Sequence, residues 1–453
     1  MHAMTHLTWN DLPCHPTRWW GLPALAAMRR DYLGFVAAQR PLGGLVRQQV
    51  LGERAVDVFE PELLRAVMVD HADALIRWER GPEVFEDLMG QSVLVTEGAT
   101  WQRQRRMLMP AFTPKRVAGY AALMAEAATA GLDTVRDGPV SMDALYSHLT
   151  MDVISRTMFS TPIGQDTGAA AHAVQVLSET AMGEMFWPVT LPDWLPLPGK
   201  AAKRRASRLI HGLLRERIAA RRASGEARTD LLGLLMALRD EATGEGLSPQ
   251  EVYDQCMVSF QAGHETSATA LLWWSWLMAA HPEAQARVRD EVDRVLAGRA
   301  PGSDDLAALP WLGATLKEAM RLYPPVAAVL TRRLTRDITL GGVHLPARTL
   351  VRVTPWLLHR DPASWPDPLA FQPERFLPDA PQEIPRGAYI PFGLGPRVCL
   401  GQHFAVLEMT LIAALVLQRF TLAPVSADAP QPRMAVTLRP ENGLALNLVR
   451  RPA

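Results

Sequence analysis

The hydrophobic positions of this chain change rhythm several times. From about residue 101 to 320 apolar side chains recur at spacings of three and four, which predicts amphipathic helices. From about 330 to 355 the rhythm becomes strand-like in "DITLGGVHLPARTLVRVTP", with a turn signal at Gly341–Gly342. A shorter strand-like piece, "VDVFEP", lies near the N-terminus. After a proline-rich meander, "DPASWPDPLAFQPERFLPDAP", helical spacing returns in "QHFAVLEMTLIAALVLQRF", which carries Phe404, Leu407, Leu411 and Leu415. The last pattern, "AVTLRPENGLALNLV", reads as two strand-like pieces around Asn442–Gly443 and predicts a hairpin. Helices and small sheets interleave without a repeat or a long linker. The pattern therefore predicts one mainly α domain with a minor β portion over residues 1–453.

The longest helical stretch is "LSPQEVYDQCMVSFQAGHETSATALLWWSWLMAAHP". Ser248, Pro249 and Glu251 form a capping-box start with proline in the first turn, and Pro282 marks the stop. About 33 residues lie between, roughly 50 Å at 1.5 Å per residue. Its centre, Ala262-Gly263-His264-Glu265-Thr266-Ser267, is weak helix material, because glycine costs about 1 kcal/mol against alanine. The Thr266 hydroxyl can also bond back to a carbonyl one turn earlier. Two readings stand: a notch where another helix crosses closely, or a locally opened helix that lets a flat ligand approach an acid and an alcohol, Glu265 and Thr266.

Composition narrows the classes. A chain of 453 residues, 48% hydrophobic, can bury a large core. Basic and acidic residues balance at 47 each, which gives no electrostatic case for nucleic acid. The three cysteines, Cys14, Cys256 and Cys399, form no C-x-x-C pair, which excludes a zinc ribbon and a thioredoxin-like motif. Sparse cysteine fits a reducing cytoplasm. The N-terminal stretch lacks the roughly 20 apolar residues of a membrane span, so no integral membrane anchor is expected.

Cys399 stands in "PFGLGPRVCLG", a Gly/Pro-rich loop just ahead of the last helical run. A helix N-terminus favours thiolate over thiol. That loop resembles the F-x-x-G-x-R-x-C-x-G pattern of the haem-thiolate monooxygenases, the cytochrome P-450 family, met by Phe392, Gly395, Arg397, Cys399 and Gly401. The long helix is similar to the family's A-G-x-[DE]-T-[ST] element, "KEAMRLYPP" supplies E-x-x-R as Glu318 and Arg321, and "PERF" brings Arg375. "WQRQRRMLMPAF" extends the resemblance into the first half.

The resemblance implies the cytochrome P-450 fold, with haem b (iron protoporphyrin IX) between the long helix and the helix after the cysteine loop. Cys399 is then the iron ligand. Phe392, Gly401 and Ala262 contact the cofactor, and Trp101, Arg105, Arg332 and Arg397 bind the haem propionates. Glu318, Arg321 and Arg375 form a buried structural triad, while Arg333 and Arg336 read as solvent-facing charge. Glu265 and Thr266 manage protons, and the acid–threonine pair, in place of the Arg-Pro of peroxide-using relatives, implies an electron-supplied enzyme.

With no fused reductase domain expected, electrons would come from a separate ferredoxin or flavodoxin with its NAD(P)H reductase; Arg103, Arg106 and Arg386 read either as its docking site or as plain solvated surface. The implied reaction inserts one oxygen of dioxygen, by hydroxylation, into a lipophilic fatty-acid, terpenoid or carotenoid-like substrate. Its pocket would draw on Phe186 and Trp187, in an apolar segment that also holds Met182, Met185 and Trp194, and on Val326 and Val329. The alternative is a haem-thiolate sensor or lipophile-binding protein without turnover.

Overall fold

A computed structural model describes residues 7–15, 19–162, 164, 167–187, 191–226, 228–241, 243–328 and 330–452. The chain divides into two compact units. The first comprises residues 1–81, 321–370 and 381–399; the second comprises 82–320, 371–380 and 400–453.

The first unit holds the larger sheet. Leu45–Val50 and Glu53–Val58 pair antiparallel through a turn at Leu51–Gly52, and Leu350–Val353 adds in parallel to Glu53–Val58. Arg332–Leu334 and Leu75–Arg77 then extend the sheet antiparallel. Val56, Val58, Leu64, Val351 and Val353 are buried in its core, consistent with the β-branched composition of the strands. A second small sheet contains the hairpin Ile338–Leu340 to Val343–Leu345, turning at Gly341 and Gly342 as the sequence predicts. Both glycines have positive φ, at 56° and 79°, which L side chains rarely adopt.

The second unit is mostly helical. Its axis is the long helix Pro249–Ala280, about 48 Å by its 32 residues. The capping box forms as predicted: Glu251 N–H donates to Ser248 Oγ at 3.1 Å, and Ser248 N–H to Glu251 Oε2 at 2.8 Å. Two adjacent, fully buried tryptophans fix its C-terminal half, Trp273 donating to the Leu438 carbonyl at 2.6 Å and Trp274 to Thr315 Oγ1 at 3.0 Å. The helices Met142–Phe159 and Gln402–Arg419 pack against it.

The predicted hairpin around Asn442–Gly443 does not form. Leu438–Pro440 pairs with Pro432–Met434. Ala445–Arg450 instead takes its partners from distant segments, Phe420–Pro424 on one edge and Gly138–Ser141 on the other. The turn signal is real, since Gly443 has a φ of 71°. Two edges across which Ala445–Arg450 can pair outweigh the one local edge that a hairpin offers.

Candidate functional site

In the first unit, residues 391–399 fold into a tight loop. Cys399 N–H donates to the Phe392 carbonyl at 2.9 Å, Val398 N–H to Gly395 at 3.0 Å, and Gly393 N–H to Ile390 at 3.0 Å. Gly395 has a φ of 79° and a Cβ there would lie 2.1 Å from the Met68 carbonyl oxygen, so no other residue fits. The result is a rigid turn that leaves the Cys399 side chain exposed. Helix Gln402–Arg419 begins after the cap Gly401, so Cys399 lies two residues before the cap rather than in the first turn. Cys399 therefore stands in the loop just ahead of the helix, outside its first turn.

The other two thiols differ. Cys256 is buried and its thiol is pushed up to about 12 by burial, which makes it inert at neutral pH. Cys14 is half-buried.

Arg332 and Arg397 belong to the same unit as the cysteine loop. Arg397 closes a short 3₁₀ turn, Gly395–Arg397. Arg332 lies buried in strand Arg332–Leu334 and donates to the Thr331 carbonyl at 3.0 Å. Arg333 is not solvent-facing as the sequence reading expects: it is buried and donates to Glu79 at 2.7 Å, Glu53 at 2.9 Å and the Arg348 carbonyl at 2.8 Å. Alternation along the strand places it on the opposite face from Arg332, within reach of Glu53 at the start of strand Glu53–Val58 and of Glu79, two residues past strand Leu75–Arg77. Arg336 does face solvent, paired with Asp73.

In the second unit, the long helix runs without a break through Ala262–Ser267, so the expected local opening is absent. An open side arises differently. Of the described residues from Val252 to Ala279, Ala262 alone is exposed, and half-buried Ser259, Gly263 and Thr266 share its face. The Thr266 hydroxyl donates back to the Ala262 carbonyl at 2.8 Å. The notch reading holds as well: a Cβ on Gly263 would come within 3.0 Å of Ile154 Cδ1, on the helix that crosses there.

Glu265 points the other way. Its Oε1 accepts from Thr437 Oγ1 at 2.7 Å and Ser178 Oγ at 2.9 Å, with Arg439 Nε at 3.7 Å. Ser178 and Thr437 are 87 and 172 residues away in sequence, and no local signal announces them. Nearby in the helix, His264 is buried with neither ring nitrogen hydrogen-bonded; burial, reinforced by Arg439, lowers it to about 3, so it is neutral.

Trp101 and Arg105 lie one turn apart in helix Gly98–Leu108, with the guanidinium 6.0 Å from the ring centroid. Together with Gln102, Arg106, Met109, Pro110 and Thr113 they line an open groove of about 520 Å³. Each of two further arginines meets an acid: half-buried Arg103 meets Glu251 at 2.6 Å, and exposed Arg106 meets the buried Asp240 at 2.7 Å.

Glu318 is fully buried, pairs with Arg375 at 3.5 Å and accepts from the Gln372 N–H at 2.9 Å. Arg321, also fully buried, donates to the carbonyls of His359, Pro368 and Ala370 at 2.7 to 3.0 Å and so pins the proline-rich meander. Phe186 and Trp187 are half-buried beyond helix Thr167–Met185, whereas Met182 and Met185 belong to the core. Val326 is half-buried in the first unit, and Val329 lies outside the described residues.

The donor set can be tested for a metal. Among the described residues no group of three or more His, Cys, Asp or Glu could hold one. One exposed thiol is a single-donor site, so an iron bound there must bring its own equatorial ligands, as a porphyrin does. A mostly helical architecture with one projecting thiol fits the haem-thiolate class.

The chain belongs to the cytochrome P-450 family, whose model matches residues 13–447. It is 37% identical over 426 residues to cyclooctatin synthase of Streptomyces melanosporofaciens, covering 91% of both chains. It is 34% identical over 410 residues to cyclooctat-9-en-7-ol 5-monooxygenase of the same organism, covering 88% of this chain and 87% of that one. To pentalenene oxygenase of Streptomyces avermitilis it is 32% identical over 434 residues, covering 94% of both. The protein is thus an oxidoreductase, a haem-dependent monooxygenase. No helix among the described residues is long and apolar enough to cross a membrane.

Proposed function

We propose that the chain holds haem b through Cys399 and hydroxylates a terpenoid-like substrate in the cytoplasm. Electrons come from a separate ferredoxin or flavodoxin with its NAD(P)H reductase. The observation that carries this reading is the contrast among the thiols: Cys256 is buried and inert, while Cys399 projects from a glycine-constrained loop. When bound, the haem supplies dioxygen binding and activation under the electron donation of a thiolate.

The remaining work falls to the chain's own side chains. Arg332, Arg397, Trp101 and Arg105 are cationic or indole N–H donors of the kind suited to the cofactor's carboxylates. The side of the long helix that carries Ala262 and Thr266 lacks bulk, which suits a flat ring and a substrate over it. Glu265 rests on Ser178 and Thr437 and shuttles protons toward the Thr266 hydroxyl when it leaves them. A terpenoid-like substrate is supported by what the relatives' names say they act on, and by half-buried Phe186, Trp187 and Val326.

The test is a cyclic-terpenoid panel with surrogate ferredoxin and reductase under isotopically labelled dioxygen, run on the wild type and on Cys399→Ala. Labelled alcohol from the wild type alone is the expected result. Binding spectra without product would point to a sensor or lipophile-binding protein. A Cys399→Ala variant with unchanged absorption and turnover would remove Cys399 as the ligand.

A further inference from the structure

Helix Lys200–Ser224 carries nine basic residues and one acid, Glu216, in a chain whose formal charge is zero. Its buried side holds Lys203, Ala206, Ile210, Leu214 and Ile218. Its opposite side exposes Arg205, Arg208, Arg215 and Arg222 at helical spacing, separated by Gly212 and Ala219. The four guanidinium groups span about 25 Å along the axis. Among the described residues none of the four has a carboxylate partner, whereas buried Lys200, Lys203 and Arg221 all do. Arg215 lies over the Tyr253 ring at 5.8 Å and Arg222 donates to the Pro249 carbonyl at 3.4 Å, contacts to neutral groups that leave their charge uncompensated, and Gly212 and Ala219 keep the stripe between them low.

The segment just before this helix adds an apolar anchor. Asp193 accepts from Lys200 at 2.6 Å and Lys203 at 3.0 Å, and its carbonyl accepts from Arg204. Glu184 completes the buried cluster, accepting from both lysines. Pinning Asp193 in this way turns the next residue outward: Trp194 is 74% exposed, flanked by exposed Pro192 and Pro196.

We propose that this face docks on the surface of a bilayer rich in anionic phospholipid. Arginine pairs with phosphate through two parallel hydrogen bonds. An indole favours the boundary between headgroups and acyl chains. An extended row of arginines, with an exposed tryptophan in the segment just before the helix, matches an extended plane of negative charge better than the curved patch of a small acidic protein. With no net charge on the chain, any attraction has to come from this local array. The inference goes beyond the proposed reaction and is tested without turnover.

The experiment is flotation of the full-length holoenzyme with phosphatidylcholine vesicles, with and without phosphatidylglycerol. Binding is expected only with phosphatidylglycerol and is lost at high salt. Each arginine near such a surface is worth about fivefold in affinity, so Arg208→Glu with Arg215→Glu should weaken binding by about 25-fold or more. Arg433→Glu, a single charge reversal on an exposed strand residue, should cost far less than the about fivefold expected of either arginine of the stripe and leave binding nearly unchanged. Trp194→Ser should lose the tryptophan quenching that bromine-labelled acyl chains cause in the wild type.

The haem absorption band and far-ultraviolet circular dichroism report whether each variant is folded. Should the double reversal fail to fold, Arg208→Gln with Arg215→Gln gives the same test with a smaller effect. Three outcomes overturn the proposal. One is no binding to phosphatidylglycerol vesicles at low salt. Another is equal loss in Arg433→Glu. The third is reversals that spare vesicle binding but slow reduction by an acidic ferredoxin, which would assign the stripe to a protein carrier.

Discussion

The two sides of the long helix solve opposite problems with the same backbone. One side, marked by Ser259, Ala262 and Thr266, stays open along a helix that is otherwise almost wholly buried. The other packs polar groups into the interior: Glu265 is held by Ser178 and Thr437, while His264 is buried with neither ring nitrogen hydrogen-bonded. Openness here comes from small side chains and not from a broken hydrogen-bond ladder. An open face can therefore be closed by a single added side chain, whereas the packed face responds to changes in the charge and volume of the groups buried in it.

Ala262→Phe is the most severe way to break this contrast. A ring at the exposed position would fill the side that suits a flat cofactor, and the expected outcome is a folded protein that purifies without haem absorbance. Ala262→Gly, which adds nothing, should keep it. If Ala262→Phe retains full haem content and turnover, the open side is not the cofactor face. Next in size is Thr266→Ala, which leaves the face open but removes its hydroxyl. Haem content should stay normal while product per electron pair falls by about a hundredfold, the scale of a lost proton-transfer group, with the difference recovered as peroxide. Unchanged product yield per NAD(P)H would defeat the assignment of Thr266.

What the sequence made legible follows from how local each cause is. The capping box at Ser248, the back-bonded Thr266 and the paired glycines at 341 and 342 depend on neighbours within four residues, and all appear as read. The family pattern around Cys399 was equally local. Glu265 was legible as an acid beside Thr266, yet its partners Ser178 and Thr437 come from segments with no shared motif. Arg333 was misread because its acids, Glu53 and Glu79, reach it across the sheet from 254 to 280 residues away. The Asn442–Gly443 hairpin failed for the same reason: a local turn signal cannot report which remote edges compete for a strand.

The packed side gives a smaller, pH-dependent effect. Glu408, on helix Gln402–Arg419, is fully buried, and neither carboxyl oxygen has a hydrogen-bond partner. Burial pushes it up to about 8, with the nearby Ser267 hydroxyl offsetting part of the rise. The folded state therefore holds a proton that the unfolded chain releases above about 4.5. The stability this contributes is complete below that value and is lost as pH rises through about 8, at up to about 1.4 kcal/mol per pH unit. His264 has the opposite sign. Its folded value, near 3, lies below the ordinary one, so its contribution is complete above about 6.5 and is lost as pH falls toward 3. Thermal midpoints across pH should show Glu408→Gln flattening the alkaline limb alone. A wild-type midpoint that does not fall from pH 5 to 8, or a Glu408→Gln profile that falls as steeply, would show Glu408 ionised in the fold.

The smallest effect lies at the seam between the two sides. Replacing Gly263 by alanine should gain about 1 kcal/mol of helix propensity. Against that, the new methyl would sit 3.0 Å from Ile154 Cδ1, close enough that the isoleucine must give by a few tenths of an ångström. The two terms are of similar size, so Gly263→Ala should change stability by less than about 1 kcal/mol. Trimming the obstacle separates them: in an Ile154→Val background the same alanine should stabilise more, with a coupling of about 0.5 kcal/mol or greater by denaturant unfolding. Additivity would mean that Ile154 already has room and that the glycine does not serve the helix crossing. Gly263 would belong to the open side if the alanine left stability alone but weakened haem or substrate binding, and the boundary between the two sides would then shift by one residue.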